Sequence, residues 1–126
     1  MNKLKINIWG RDFELDIVYD CFQGEEILDV QMETLKCFLE KPDLIIQAKS
    51  AIEDYCVKHN GDDMDAKTID NIFKYVIPTS LYIQRTNDNS HVIGLMCKYK
   101  FNIDDGLAVM FKNEEIREVG SQNIIL

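Results

Sequence analysis

From Lys3 to Tyr19 apolar and polar residues alternate with a period of two. Leu4, Ile6 and Ile8 alternate with Lys3, Lys5 and Asn7, and Phe13, Leu15, Ile17 and Tyr19 alternate with Asp12, Glu14 and Asp16. Strict alternation is the pattern of a half-buried strand, so two runs divided by Gly10-Arg11 predict a hairpin. A type II′ turn places Gly first, which sets Ile8 opposite Phe13, Ile6 opposite Leu15 and Leu4 opposite Ile17. The other face then pairs Asn7 with Glu14 and Lys5 with Asp16, and carries Trp9 beside Asp12. A slip of one residue would send every apolar side chain to the wrong face, so the register is tightly specified.

The period lengthens after Gln23-Gly24. Leu28, Met32, Leu35 and Leu39, flanked by Ile27 and Phe38, predict a helix over 25–40, with Glu25 and Glu26 favourably placed in its first turn. Lys41-Pro42 interrupts it. A second helix buries Ile45, Ala48, Ile52 and Tyr55 and stops at Asn60-Gly61, with His59 in its last turn. Asp65 is the expected cap of a third, shorter helix with Ile69, Ile72, Phe73 and Val76 inward.

From Pro78 the period returns to two. Leu81 and Ile83 lie on one face, then Ile93, Leu95, Cys97, Tyr99 and Phe101 after the polar run Thr86 to Ser90. Asp104-Asp105-Gly106 marks a turn before strands at 107–111 and 116–119, where a bulge or longer loop is needed to align the apolar faces. Ile124-Ile125-Leu126 is expected to be pinned into the core or against an edge. Strands and helices come in blocks, so the expected class is α+β: an antiparallel sheet with about three helices packed on one face, in one domain over 1–126.

Composition narrows the partners. The 126 residues hold 22 acids against 14 Lys and Arg, a formal net charge of −8. A phosphate backbone or an anionic membrane repels such a chain, and Lys98-Tyr99-Lys100 is the nearest approach to a basic-aromatic patch. A basic protein is the partner class that the charge favours. The first ten residues lack the apolar core and cleavage site of a signal peptide, and no apolar run is long enough for a membrane span. Cys21, Cys37, Cys56 and Cys97 are widely spaced, as expected of reduced thiols in a cytoplasmic protein.

Candidate chemistry is sparse. Cys56 and His59 are the Cys-His pair nearest in sequence, with no second pair to complete a zinc site. Asn60 to Asp65 resembles a calcium loop but puts Met64 and Asp65 where a ligand and a glycine are required. No glycine-rich phosphate cradle occurs. The expectation is therefore no catalytic residue, no cofactor and no metal. Asp12, Glu14 and Asp16, extended by Asp20, form a row that reads either as the wet side of a strand or as an acidic binding surface with Trp9 as its aromatic anchor.

The stretches INIWGRDFELDIVYDCFQGEE and DDGLAVMFKNEEIREVGSQNIIL, together about a third of the chain, resemble a family of small bacterial proteins catalogued as a domain of unknown function. The resemblance rests on an early W-G hairpin and a closing G-L-A-V-x-F … V-G-x-Q-[DN]-I-x-L pattern, where Asn123 stands in place of a frequent acid. It implies no catalytic residues. It implies structural roles for Gly10 and Gly106 in turns, Gly120 at a bend, and Gln122 as a hydrogen-bonding residue near the last strand. Some relatives of this broad class are thought to be immunity proteins, which implies a non-enzymatic inhibitor of a basic toxin. The expected function is thus a protein-binding module that uses Trp9, Asp12, Glu14, Asp16 and Asp20. The alternatives are a small enzyme or small-molecule binder with a pocket between sheet and helices, and a homodimer formed through a sheet edge.

Overall fold

The computed structural model describes residues 2–64 and 69–126. The elements are β1 (Lys3–Ile8), β2 (Arg11–Tyr19), α1 (Asp29–Leu39), α2 (Asp43–Asn60), β3 (Val76–Ile83), β4 (Val92–Tyr99), β5 (Leu107–Lys112) and β6 (Ile116–Gly120). Single 3₁₀ turns occupy Gly61–Asp63, Ile72–Lys74 and Gln122–Ile124. The six strands form one sheet in sequential order.

The α+β class stands, with two corrections. β2 and β3 run parallel, Asp16 opposite Ser80 and Tyr19 opposite Ile83, so the sheet is mixed. Two helices intervene between these strands, the long connection that a parallel pair requires. All other neighbouring strands are antiparallel. The third helix is absent from the described part of its expected span: Ile72–Lys74 makes a single 3₁₀ turn and Val76 already belongs to β3. Its expected cap, Asp65, lies outside the described residues.

The N-terminal hairpin forms, but its turn is Trp9-Gly10. Both residues have positive φ, 52° and 87°, the conformation of a type I′ turn, which suits the twist of paired strands. Ile6 therefore faces Phe13, Leu4 faces Leu15, and Ile8 faces Arg11. This register lies two residues from the expected one. A shift of two keeps each side chain on its own face, so alternation is blind to it.

Helix α1 presents a different stripe from the expected one. Val30, Gln31, Thr34 and Phe38 are buried, whereas Ile27, Met32 and Leu39 are exposed. Two polar residues thus occupy the inner face, and both are satisfied. Thr34 donates to the Val30 carbonyl at 2.6 Å. Gln31 donates to the carbonyls of Asp20 and Ile83 at 3.0 and 3.2 Å, and accepts from the Leu28 amide at 2.9 Å. Its amide fastens the ends of β2 and β3 to the start of α1. Glu25 and Glu26 precede the helix, and Asp29 takes the first-turn position.

Both helices pack on one face of the sheet, over Leu15, Leu81, Ile83, Leu95 and Phe111. Phe38 meets Phe111 edge-on with ring centroids 4.9 Å apart. The opposite face holds a smaller cluster of Val92, Met96, Ala108 and the fully buried Ile125. The C-terminal segment is pinned there, as its apolar character requires. Gly94 supplies the seat, since a Cβ at that position would stand 3.0 Å from Ile125 Cγ1.

The closing motif also has a mechanical role. Gly106 has φ +59°, and a Cβ there would lie 2.6 Å from the Cys97 carbonyl oxygen and 2.7 Å from Gln122 Nε2. Gln122 donates to that same carbonyl at 3.1 Å. The expected bulge lies between Met110 and Phe111. The turn that follows places Asn113 and Glu114 at positive φ.

Candidate functional site

Hairpin geometry displays the acid row. In the observed register Lys3 faces Asp16, Lys5 faces Glu14, and Asn7 faces Asp12. Asp12, Glu14 and Asp16 are all exposed. Lys3 Nζ lies 3.8 Å from Glu14 and 3.7 Å from Asp16, and Asn7 donates to Asp12 at 3.0 Å. Exposed pairs at such distances hold their partners loosely. Val18 continues the row as an exposed apolar residue.

Two expected members of the surface sit elsewhere. Asp20 lies just beyond β2, half-buried, beside Tyr82. Burial pushes the Tyr82 phenol up from its ordinary pKa, and the charge and hydrogen bond of Asp20 push it the same way. Trp9 does not share the acid face, because it occupies the left-handed turn rather than a strand position. Its indole Nε1 donates to the Ile45 carbonyl of α2 at 2.8 Å, and its ring lies 6.0 Å from that of Phe73. Trp9 instead helps to line an open apolar groove of about 530 Å³ between the hairpin tip and the α1–α2 corner, with Ile6, Leu39, Pro42 and Ile46.

The chain leaving β2 is fastened. Arg85 donates to the Glu26 carbonyl at 2.9 Å and lies 3.6 Å from the Glu25 carboxylate. The Phe22 amide donates to Glu25 at 2.8 Å. This tied loop presents Phe22 outward, 78% exposed. Periodicity gave no signal for this residue, because it lies between a strand and a helix.

The cysteines and histidines meet in a way their spacing does not suggest. All four cysteines are free. Cys56 is buried and His59 exposed against the Tyr55 ring, with centroids 4.2 Å apart. His91, just before β4, comes instead to Cys37 and Glu33 of α1, with one ligand atom of each within 4.8 Å of the others. His91 Nδ1 lies 3.2 Å from both carboxylate oxygens of Glu114, and its Nε2 lies 3.7 Å from Glu33. The backbone holds this arrangement: the His91 amide donates to Asn113 Oδ1 at 2.9 Å, and the Asn113 amide returns to the His91 carbonyl at 2.8 Å. Burial pushes the Cys37 thiol up, followed by the charge and hydrogen bond of Glu114 and the charges of Glu33 and Glu40. The one signal in the sequence is the i, i+4 spacing of Glu33 and Cys37, which shares a helix face.

The remaining motifs resolve structurally. Asn60 accepts from the Tyr99 hydroxyl at 2.7 Å and donates to Asp63 at 3.1 Å, so the calcium-like run begins as a helix stop. Lys98 and Lys100 join Lys74 around Tyr75 and the exposed Ile103. Among the described residues no helix is long and apolar enough to cross a membrane.

No match was found among curated proteins or among solved structures. A family model described as "Domain of unknown function (DUF6985)" matches residues 1–126. The chain belongs to that family, as its hairpin and closing motif suggested.

Proposed function

We propose that this protein is a non-enzymatic protein-binding module for a basic partner, in its most concrete form an inhibitor of a basic toxin. The supporting observation is the acid row itself. Asp12, Glu14 and Asp16 stand exposed on the open face of the hairpin, in a chain of net charge −8. Such a surface steers a basic protein into encounter and fixes its orientation. Phe22, held outward by a fastened loop, is preordered for burial in a partner, which lowers the entropy lost on binding. Asp20 supports the row from its end. Trp9 supports the hairpin from the helix side.

The second reading is a small-molecule binder, favoured by the groove at Trp9, whose volume of about 530 Å³ lies in the range of ligand pockets. Its lining is mainly apolar, with Asn7 and Lys49 as the polar side chains.

The test is calorimetric titration against the product of the adjacent gene at low and high salt. Binding that weakens with salt, and whose affinity falls about tenfold or more in an Asp12→Lys/Glu14→Lys/Asp16→Lys variant, is the expected result. A folded partner that does not bind overturns this pairing. Salt-independent binding that shifts the emission of Trp9, the single tryptophan, moves the contact to the groove.

A further inference from the structure

We propose that Glu33, Cys37 and His91, with Glu114 behind the imidazole, bind a divalent transition-metal ion of the zinc class. Two segments distant in sequence, helix α1 and the residue before β4, deliver three different donors, a carboxylate, a thiol and an imidazole, with ligand atoms within 4.8 Å of one another. This donor set selects a zinc-like ion over calcium or magnesium, which take oxygen ligands. Ligand atoms about 2.0–2.3 Å from a tetrahedral ion stand roughly 3.3–3.8 Å apart. The Glu33–His91 separation of 3.7 Å already meets that spacing. Rotation of the Cys37 and Glu33 side chains closes the rest.

Glu114 makes the cluster more than three neighbouring side chains. Its carboxylate takes the Nδ1 side of His91, which fixes the tautomer with Nε2 free to face Glu33. A carboxylate behind a ligating histidine is the usual support of a zinc site. The left-handed Glu114 turn is tied to the backbone of His91, so the support is built into the fold.

The charges balance for the same ion. Cys37 as thiolate and Glu33 as carboxylate neutralise a charge of +2, with His91 neutral and the thiol proton released to solvent. Three protein ligands leave a fourth position for water or another molecule, the pattern of an open site. The cluster uses no residue of the acid row, so this inference and the binding-module reading can fail separately.

Titration of the full chain with Co²⁺ is the test. The expected result is a thiolate-to-cobalt charge-transfer band in the near ultraviolet, displaced by Zn²⁺ and lost in Cys37→Ser. Glu114→Gln is expected to keep the band while weakening binding about 10- to 100-fold. A folded wild-type chain without the band, or a band that survives in Cys37→Ser and disappears in Cys21→Ser, overturns the site. Should Cys37→Ser fail to fold, thiol alkylation of the wild-type chain decides. Selective protection of Cys37 by Zn²⁺ supports the proposal, and equal labelling with and without the ion overturns it.

Discussion

Strands β1 and β2 carry core residues on one face and leave Lys3, Lys5, Asp12, Glu14 and Asp16 to solvent on the other. Strands β4 and β5 lie between the helices on one side and the C-terminal cluster of Ile124 and Ile125 on the other. The two halves of one sheet therefore obey different sequence rules. Where one face is wet, apolar and charged residues alternate. Where both are covered, Val92 to Cys97 runs apolar without a break and every residue is buried. Strand β3 separates the acid row of β2 from the covered strands β4 and β5.

The sharpest way to break this contrast is to remove the cover. Ile125 is fully buried over Gly94, so Ile125→Ala is expected to destabilise the fold by about 2–5 kcal/mol. Val18, an exposed apolar residue on the open half, is expected to change stability by no more than about 0.5 kcal/mol when replaced by Ala. Urea unfolding of the two variants compares the halves directly. Equal costs would mean that the second cluster is not core.

How far the sequence shows this architecture depends on the interaction involved. Alternation identifies β1 and β2 and their faces, because burial acts locally on each residue. It leaves the hairpin register open by two, because Trp9 takes a left-handed turn stabilised by contacts with Ile45 and Phe73 from other elements. The buried face of α1 is hidden by chemistry: Gln31 and Thr34 are polar, and only the carbonyls they meet explain their burial. Block order suggests antiparallel pairing, and nothing local marks β2 and β3 as parallel. The candidate sites divide the same way. The exposure of Asp12, Glu14 and Asp16 is legible from one strand, whereas the meeting of Cys37 with His91 is a property of the tertiary fold.

Alkaline titration sharpens the comparison from the covered side. Burial raises the Cys97 thiol far above its ordinary pKa, and the Tyr99 phenol likewise. A thiol that stays protonated in the folded state while ionising in the unfolded one contributes stability that is complete below the unfolded pKa. That contribution is lost as pH rises through and beyond it. Stability is therefore expected to fall above about pH 8.5, by about 1.4 kcal/mol per pH unit for each such thiol. Urea midpoints between pH 8 and 10 measure the slope, and Cys97→Ala should reduce it by about one proton. An unchanged slope in that variant would assign the loss to other groups.

The smallest effect is expected on the open side, and its smallness is informative. Asp12, Glu14 and Asp16 are exposed, and their contacts are one shared lysine and one asparagine. A solvated ion pair contributes about 0–1 kcal/mol, offset here by repulsion along an acidic row. Single replacements by Lys are expected to leave stability within about 0.5 kcal/mol, with Asp12→Lys free to gain slightly from lower net charge. Three urea curves suffice to check this. A loss well above 1 kcal/mol in any variant would make that acid part of the hairpin's support and would blur a charge-reversal binding result. If all three hold, the fold does not require the row, and any loss of partner affinity on charge reversal belongs to the surface itself.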